Sequence, residues 1–145
     1  MNTNNKLNEL EFLLGRWSTA GTVNATIDAA EIKFQGTDTY DLILDGKFIL
    51  HKVDVMMGGE HIEVVEIIGE SASTNKGYAL RSFDNRGVYT EMSADLDAQD
   101  QLVINGDKMR AFLKASGPGK LSARWERLAE NANWIPWMDL TLTKG

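Results

Sequence analysis

The pattern of hydrophobic and polar positions along the chain changes near Gly15. Before this point, leucines recur at i, i+3, i+6 and i+7, which is typical of a short amphipathic helix. These leucines are Leu7, Leu10, Leu13 and Leu14. Asn4 or Asn5 can cap the start of the helix, and Gly15 ends it. We therefore predict a helix over about residues 5–14. Because so short a helix is marginal alone, its leucine face must dock on the rest of the protein.

After Gly15 the chain reads as β-strands separated by closely spaced turn residues. The strand-like runs are Trp17–Val23, Glu31–Leu44, Lys47–Met57, His61–Ile68, Gly77–Phe83, Val88–Ala94, Gln101–Asn105, Met109–Ala115, Lys120–Leu128 and Trp134–Thr143. Short turns leave no room for parallel crossovers, and closing the sheet removes its exposed edges. The sequence predicts an all-β, closed, antiparallel up-and-down barrel of about ten strands. The barrel covers about residues 16–144 and forms a single domain with the helix at one end.

Two turn motifs predict which residues face each other across strands. A hairpin at Gly58-Gly59 places His51 opposite Glu66, Met56 opposite His61, and Met57 opposite Glu60. A turn at residues 84–87 places Phe83 opposite Tyr89, Arg81 opposite Glu91, and Leu80 opposite Met92. The two histidines then lie several residues apart along one hairpin, so we expect no metal site.

Several of these strands carry polar residues on both faces. In the run Lys47–Met57, one face includes Lys52 and Asp54 while the other includes His51. In a sheet packed on a dry core, apolar and polar residues would alternate more strictly along each strand. A barrel wide enough to hold a ligand tolerates polar residues that point inward. This mixture predicts an internal cavity, although the pattern leaves open which set of residues faces it.

Composition narrows the range of partners. The formal net charge is −6, from 15 basic and 21 acidic residues, and the basic residues form no block, so nucleic acid is not an expected partner. No apolar run approaches the ~18 residues that a membrane helix needs, so we expect no membrane partner either. The chain has no cysteine, which excludes disulfides and thiolate chemistry. We expect a cytoplasmic protein.

The segment 12–17, Phe-Leu-Leu-Gly-Arg-Trp, resembles the Gly-x-Trp opening of lipocalins and other calycins. That resemblance implies that Trp17 closes one end of the barrel beneath a basic residue of the last strand. Lys144 is the candidate for this residue, and Arg124 is a second one. Further motifs follow in order at residues 42–48, 67–69, 83–87, 123–126 and 139–144. Together they resemble an uncharacterised bacterial lipocalin-like family of unknown function, distantly similar to nitrobindins and fatty-acid-binding proteins.

The resemblance to nitrobindins raises the question of haem. Nitrobindin-like proteins ligate haem through a histidine on or just before the final strand. Here residues 134–139 read Trp-Ile-Pro-Trp-Met-Asp, without a histidine. A thioether such as that of Met138 is typical of a packed core. We therefore expect no cofactor and disfavour haem.

We expect the barrel interior to bind a small, mostly apolar or amphipathic molecule. The candidate ligand-binding residues are His51, Arg81, Tyr89, Met92, Trp125 and Met138. If Arg81 and Tyr89 point inward, they can hold a carboxylate; if they point outward, Leu80 and Met92 take the inward face instead.

Two other classes of function stay open. One is an enzyme acting on a cavity-bound molecule, although the chain has no cysteine nucleophile and no Gly-x-Ser-x-Gly motif. The other is an interaction module without a ligand, in which Trp134 or Trp137 packs in a homodimer interface. Of the three classes we expect binding rather than catalysis.

Overall fold

The computed structural model describes residues 6–71 and 77–145. A 3₁₀-helix, Lys6–Leu13, precedes ten strands. The strands are β1 (Gly15–Val23), β2 (Ile32–Ile43), β3 (Phe48–Met57), β4 (Glu60–Glu70), β5 (Tyr78–Asp84), β6 (Tyr89–Leu96), β7 (Leu102–Gly106), β8 (Met109–Gly117), β9 (Lys120–Leu128) and β10 (Trp134–Lys144). They pair antiparallel in chain order, and β1 pairs with β10 to close the barrel. The predicted closed ten-stranded barrel is confirmed.

The N-terminal helix is confirmed, and the leucine spacing suits its 3₁₀ geometry. Leu7, Leu10 and Leu13 stand three positions apart, so all three share one face when the helix has three residues per turn. All three are fully buried among the barrel core residues. Leu14, four positions after Leu10, falls beyond the end of the helix. The proposed caps Asn4 and Asn5 lie outside the described residues.

Polar contacts hold the helix at its end of the barrel. The hydroxyl of Tyr78 lies 2.8 Å from Oε1 of Glu9, to which it donates, and 3.0 Å from the carbonyl oxygen of Lys6. Within the part of the chain that the structure describes, no helix is long and apolar enough to cross a membrane.

The predicted strand registers are present. Across β3 and β4 the pairs are His51 with Glu66, Met56 with His61, and Met57 with Glu60. Across β5 and β6 the pairs are Phe83 with Tyr89, Arg81 with Glu91, and Leu80 with Met92. The backbone N–H of Asp84 donates to the carbonyl of Val88, which closes this second hairpin.

The structure settles which strand faces point inward. On β3 the inward set includes Ile49 and His51, whereas Lys52 points outward. On β5 Leu80 and Ser82 point inward, so Arg81 and Phe83 lie on the outer surface.

Trp17 closes the end of the barrel that carries the helix. It is buried, and its indole N–H donates to the carbonyl of Leu13 at 2.8 Å. The ammonium of Lys144 lies 4.7 Å from the centre of the indole and donates to the carbonyl of Leu14 at 2.5 Å. Of the two basic candidates, Lys144 is therefore the one that covers Trp17. Arg124 instead lies on the outer surface, 3.6 Å from Asp139.

Candidate functional site

The barrel encloses a cavity of about 370 Å³. Most of its wall is apolar and comes from side chains on nearly every strand, such as Val53, Val64, Leu113 and Leu140. The cavity lies within the ~300–1,000 Å³ range of small-molecule sites. A wider groove of about 1140 Å³ involves outward-facing side chains such as Arg124, but it is open to solvent. The internal cavity is therefore the candidate site.

A polar cluster interrupts the apolar wall on three neighbouring strands. We call Asp38 of β2, His51 of β3 and Glu66 of β4 the carboxylate–histidine cluster. Nε2 of His51 lies 2.6 Å from Oδ2 of Asp38, and Nδ1 lies 2.9 Å from Oε1 of Glu66. The register brings these residues together, because His51 faces Glu66 directly and Asp38 lies two positions along β2 from Tyr40, the partner of His51.

Two further inward residues orient the cluster. The hydroxyl of Thr19 on β1 donates to Oδ1 of Asp38, so both oxygens of that carboxylate accept hydrogen bonds. The ring of Tyr40 stacks on the ring of His51, with centroids 4.0 Å apart and planes 8° from parallel. The imidazole is therefore held by hydrogen bonds at both nitrogens and by an aromatic face.

This arrangement favours the charged form of His51. Ionised carboxylates only accept hydrogen bonds, so each ring nitrogen must donate. Burial opposes the positive charge, but the hydrogen bonds and charges of Asp38 and Glu66 outweigh it and raise the pKa of His51 to about 9. Burial, with smaller effects from the same two carboxylates, raises the pKa of Tyr40 well above its usual value.

The structure divides the candidate ligand-binding residues into two groups. His51, Met92, Trp125 and Met138 line the cavity. Arg81 and Tyr89 do not, because the alternation along β5 and β6 puts them on the outer surface. There Tyr89 is about half exposed, and its hydroxyl donates to Glu91. Of the two predicted alternatives the structure has the outward one, in which Arg81 and Tyr89 hold no carboxylate inside the barrel and Leu80 and Met92 face inward.

A β-bulge shapes the wall formed by β10. Pairing with β9 shifts register between Pro136 and Met138, so the adjacent residues Trp137 and Met138 both line the cavity. The ring of Trp137 meets Trp125 edge-on, with centroids 6.3 Å apart.

Trp134 lies on the other face of β10 and is covered by a charged side chain. The guanidinium of Arg110 lies 4.2 Å from the centre of its ring, and Nε of Arg110 donates to Glu126 at 2.6 Å. Trp134 and Trp137 therefore lie on opposite faces of β10.

Sequence reasoning did not identify Thr19, Asp38, Tyr40 and Glu66 as site residues. It did place Glu66 opposite His51, and Glu66 accepts one of the two hydrogen bonds of the imidazole. Asp38 stands an even number of positions from Phe34 and Tyr40, so this polar residue shares a strand face with two aromatic residues. That pattern was the sequence signal that could have identified Asp38 as a site residue.

The histidine that lines the cavity is not placed to ligate a haem iron. A histidine that ligates iron must present a free ring nitrogen, and both nitrogens of His51 are held by carboxylates. Over residues 6–71 and 77–145, no group of three or more His, Cys, Asp and Glu side chains could hold a metal ion.

No protein-family model and no curated protein matches the sequence. Several solved structures resemble the fold. Rv2717c from M. tuberculosis has a TM-score of 0.72 at 11% identity, and the match covers 96% of each chain. The S-type phycobiliprotein lyase CPES from Guillardia theta has a TM-score of 0.66 at 8% identity, covering 99% of this chain and 94% of that one. EF1p2_mFAP2b, solved bound to DFHBI, has a TM-score of 0.50 at 11% identity, covering 94% and 97%. At such low identities these likenesses show the fold alone.

Proposed function

We propose that this protein binds a small, mostly apolar molecule with one polar end inside the barrel. One observation carries the proposal: the internal cavity is apolar over most of its wall, and three of its four charged lining residues converge in the carboxylate–histidine cluster. Small-molecule sites combine an apolar lining with a few placed polar groups that fix orientation. The likeness to EF1p2_mFAP2b, which holds DFHBI, supports the use of such a barrel for a small molecule.

Binding fits the cluster better than catalysis does. A general base needs a ring nitrogen that can take up a proton from the substrate. Both nitrogens of His51 already donate to carboxylates, and the raised pKa keeps the imidazole protonated at neutral pH. We therefore assign His51 a role in organising the wall of the cavity and not in proton transfer.

Adjacent residues of β4 provide a matched test of the site. Val64 lines the cavity, whereas Val65 is 38% exposed on the outer surface. The probe is N-phenylnaphthylamine, a neutral dye whose fluorescence rises in apolar surroundings. We expect the wild-type protein and Val65→Phe to bind the dye with similar affinity, and Val64→Phe to bind it at least tenfold more weakly because the new ring fills the cavity. Equal affinities of the two variants, or no binding by the wild-type protein, would overturn the proposal.

The native ligand can be sought directly. Protein purified from its natural host and analysed by native mass spectrometry should carry an added mass that organic extraction removes. Protein that binds neither the dye nor any host molecule would speak against an internal binding site.

A further inference from the structure

The charges of the carboxylate–histidine cluster do not balance. Asp38 and Glu66 contribute two negative charges, and protonated His51 contributes one positive charge. The side chains of all three are at most 13% exposed. A buried charge without a partner is costly, so the cluster leaves one negative charge that a positive group would compensate.

The uncompensated charge lies on Glu66. Both oxygens of Asp38 have donors, Thr19 and His51. On Glu66 only Oε1 accepts, from His51. Among the residues that the structure describes, no group donates to Oε2, although this side chain is nine-tenths buried and lines the cavity.

Apart from His51, the described residues of the strands beside β4 place no cation against Glu66. Its partner across β4 and β5 is Ser82, and the residue beyond that on β6 is Thr90, both neutral. The other charged residue that lines the cavity is Arg86, whose guanidinium is bound to Asp84 at 3.1 Å and whose side chain is 67% exposed. Its charge is therefore shared with Asp84 and solvent.

We propose that the polar end of the ligand is a protonated amine, which donates to Oε2 of Glu66 while the apolar part fills the rest of the cavity. This inference rests on the proposed function. An amine supplies both the missing positive charge and a donor to the free oxygen. A carboxylate would place a third negative charge against Glu66 and Asp38, and it would find no free donor there, since both N–H groups of His51 are already engaged.

Three probes with the same eight-carbon tail separate the charge of the head group from apolar binding. n-Octylamine, n-octanol and n-octanoate are each titrated at pH 7 against protein carrying N-phenylnaphthylamine, and displacement of the dye gives the affinity. We expect the amine to bind at least tenfold more tightly than the alcohol, and octanoate to bind most weakly.

Two glutamine variants on β4 locate the effect. In Glu66→Gln the preference for amine over alcohol should fall at least fivefold, while octanol keeps its affinity. In the control Glu63→Gln, where the exchanged carboxyl is exposed on the outer surface, the preference should be unchanged. If Glu66→Gln does not fold, as judged by circular dichroism, the ranking of the three probes in the wild-type protein alone tests the amine assignment.

The outcomes distinguish the two proposals. Octanoate binding as tightly as octylamine, or an amine preference that survives Glu66→Gln, overturns the amine assignment and leaves the binding cavity standing. Failure of all three probes to displace the dye, together with failure of the dye itself to bind, overturns the proposed function.

Discussion

We expect the free energy of unfolding to fall as the pH rises from 6.5 to about 9.5, because His51 binds its proton more tightly in the folded protein than in the unfolded chain. The folded pKa is about 9, against an ordinary value of 6.5. The stabilisation is therefore fully present below pH 6.5 and is lost as the pH rises through the folded pKa. One pKa unit is worth about 1.4 kcal/mol, so the loss is ~3 kcal/mol.

The assay is urea denaturation followed by tryptophan fluorescence at a series of pH values. The series stops at about pH 9.5, because the raised pKa of buried Tyr40 adds a separate loss of stability above the ordinary tyrosine pKa of about 10. His51→Gln should be less stable than the wild-type protein at pH 7 and nearly independent of pH from 7.5 to 9.5. His61→Gln is the matched control, since His61 is exposed and bound to Asp54 on the outer surface.

The control variant should lose stability along the same curve as the wild-type protein. An NMR titration of the two histidine rings gives an independent measure, in which the ring of His51 changes at about pH 9. Parallel stability curves for the wild-type protein and His51→Gln, or a His51 ring that titrates near pH 6.5, would refute the reasoning.

Three further substitutions test the frame of the barrel by urea denaturation. Lys144→Met removes the cation over the indole of Trp17 and the hydrogen bond to the carbonyl of Leu14. We expect the free energy of unfolding to fall by ~1–2 kcal/mol. The control Lys120→Met, at an exposed position, should not show this loss. Gly36→Ala places a Cβ 2.0 Å from the carbonyl oxygen of Asp54. This substitution should lower the free energy of unfolding by at least ~2 kcal/mol, because the backbones of β2 and β3 must move apart. Tyr78→Phe removes the hydroxyl that anchors the N-terminal helix and should cost ~1–2 kcal/mol.

Each of these expectations can fail separately. Equal losses for the two lysine variants would show that the contact with the indole contributes nothing measurable. An alanine tolerated at position 36 would contradict the close approach of the two strands. An unchanged midpoint for Tyr78→Phe would mean that the leucine face alone holds the helix.

The strands and hairpins were predictable because their signals are local. The turn at Gly58-Gly59 determines that His51 faces Glu66, and the turn at residues 84–87 determines the pairing of β5 with β6. The helix was predicted without its type, since leucines three positions apart share one face of a 3₁₀-helix and also fall within the apolar stripe of an α-helix.

The site was less predictable because it depends on which face of each strand is buried. Arg81 and Leu80 alternate on β5, and both orientations gave plausible inward sets until the closed barrel selected one. The cluster also needs three strands in register at once, with Asp38 reaching diagonally to His51. Trp137 reaches the cavity only because a β-bulge interrupts the alternation of inward and outward side chains on β10. No sequence motif and no hydrophobic periodicity indicates this bulge.

The pairing of β1 with β10 has a consequence for biosynthesis. The contact of Lys144 with Leu14 joins residues 130 positions apart, so on the ribosome β1 can find β2 early but must wait for β10 to emerge. Until then one edge of the nascent sheet stays open, and open edges invite pairing with other chains. A chain interrupted before β10 would lack the strand that pairs with both β1 and β9, so the edges of these two strands would have no partner from β10. The second edge of β1 is therefore covered only once synthesis has passed β10.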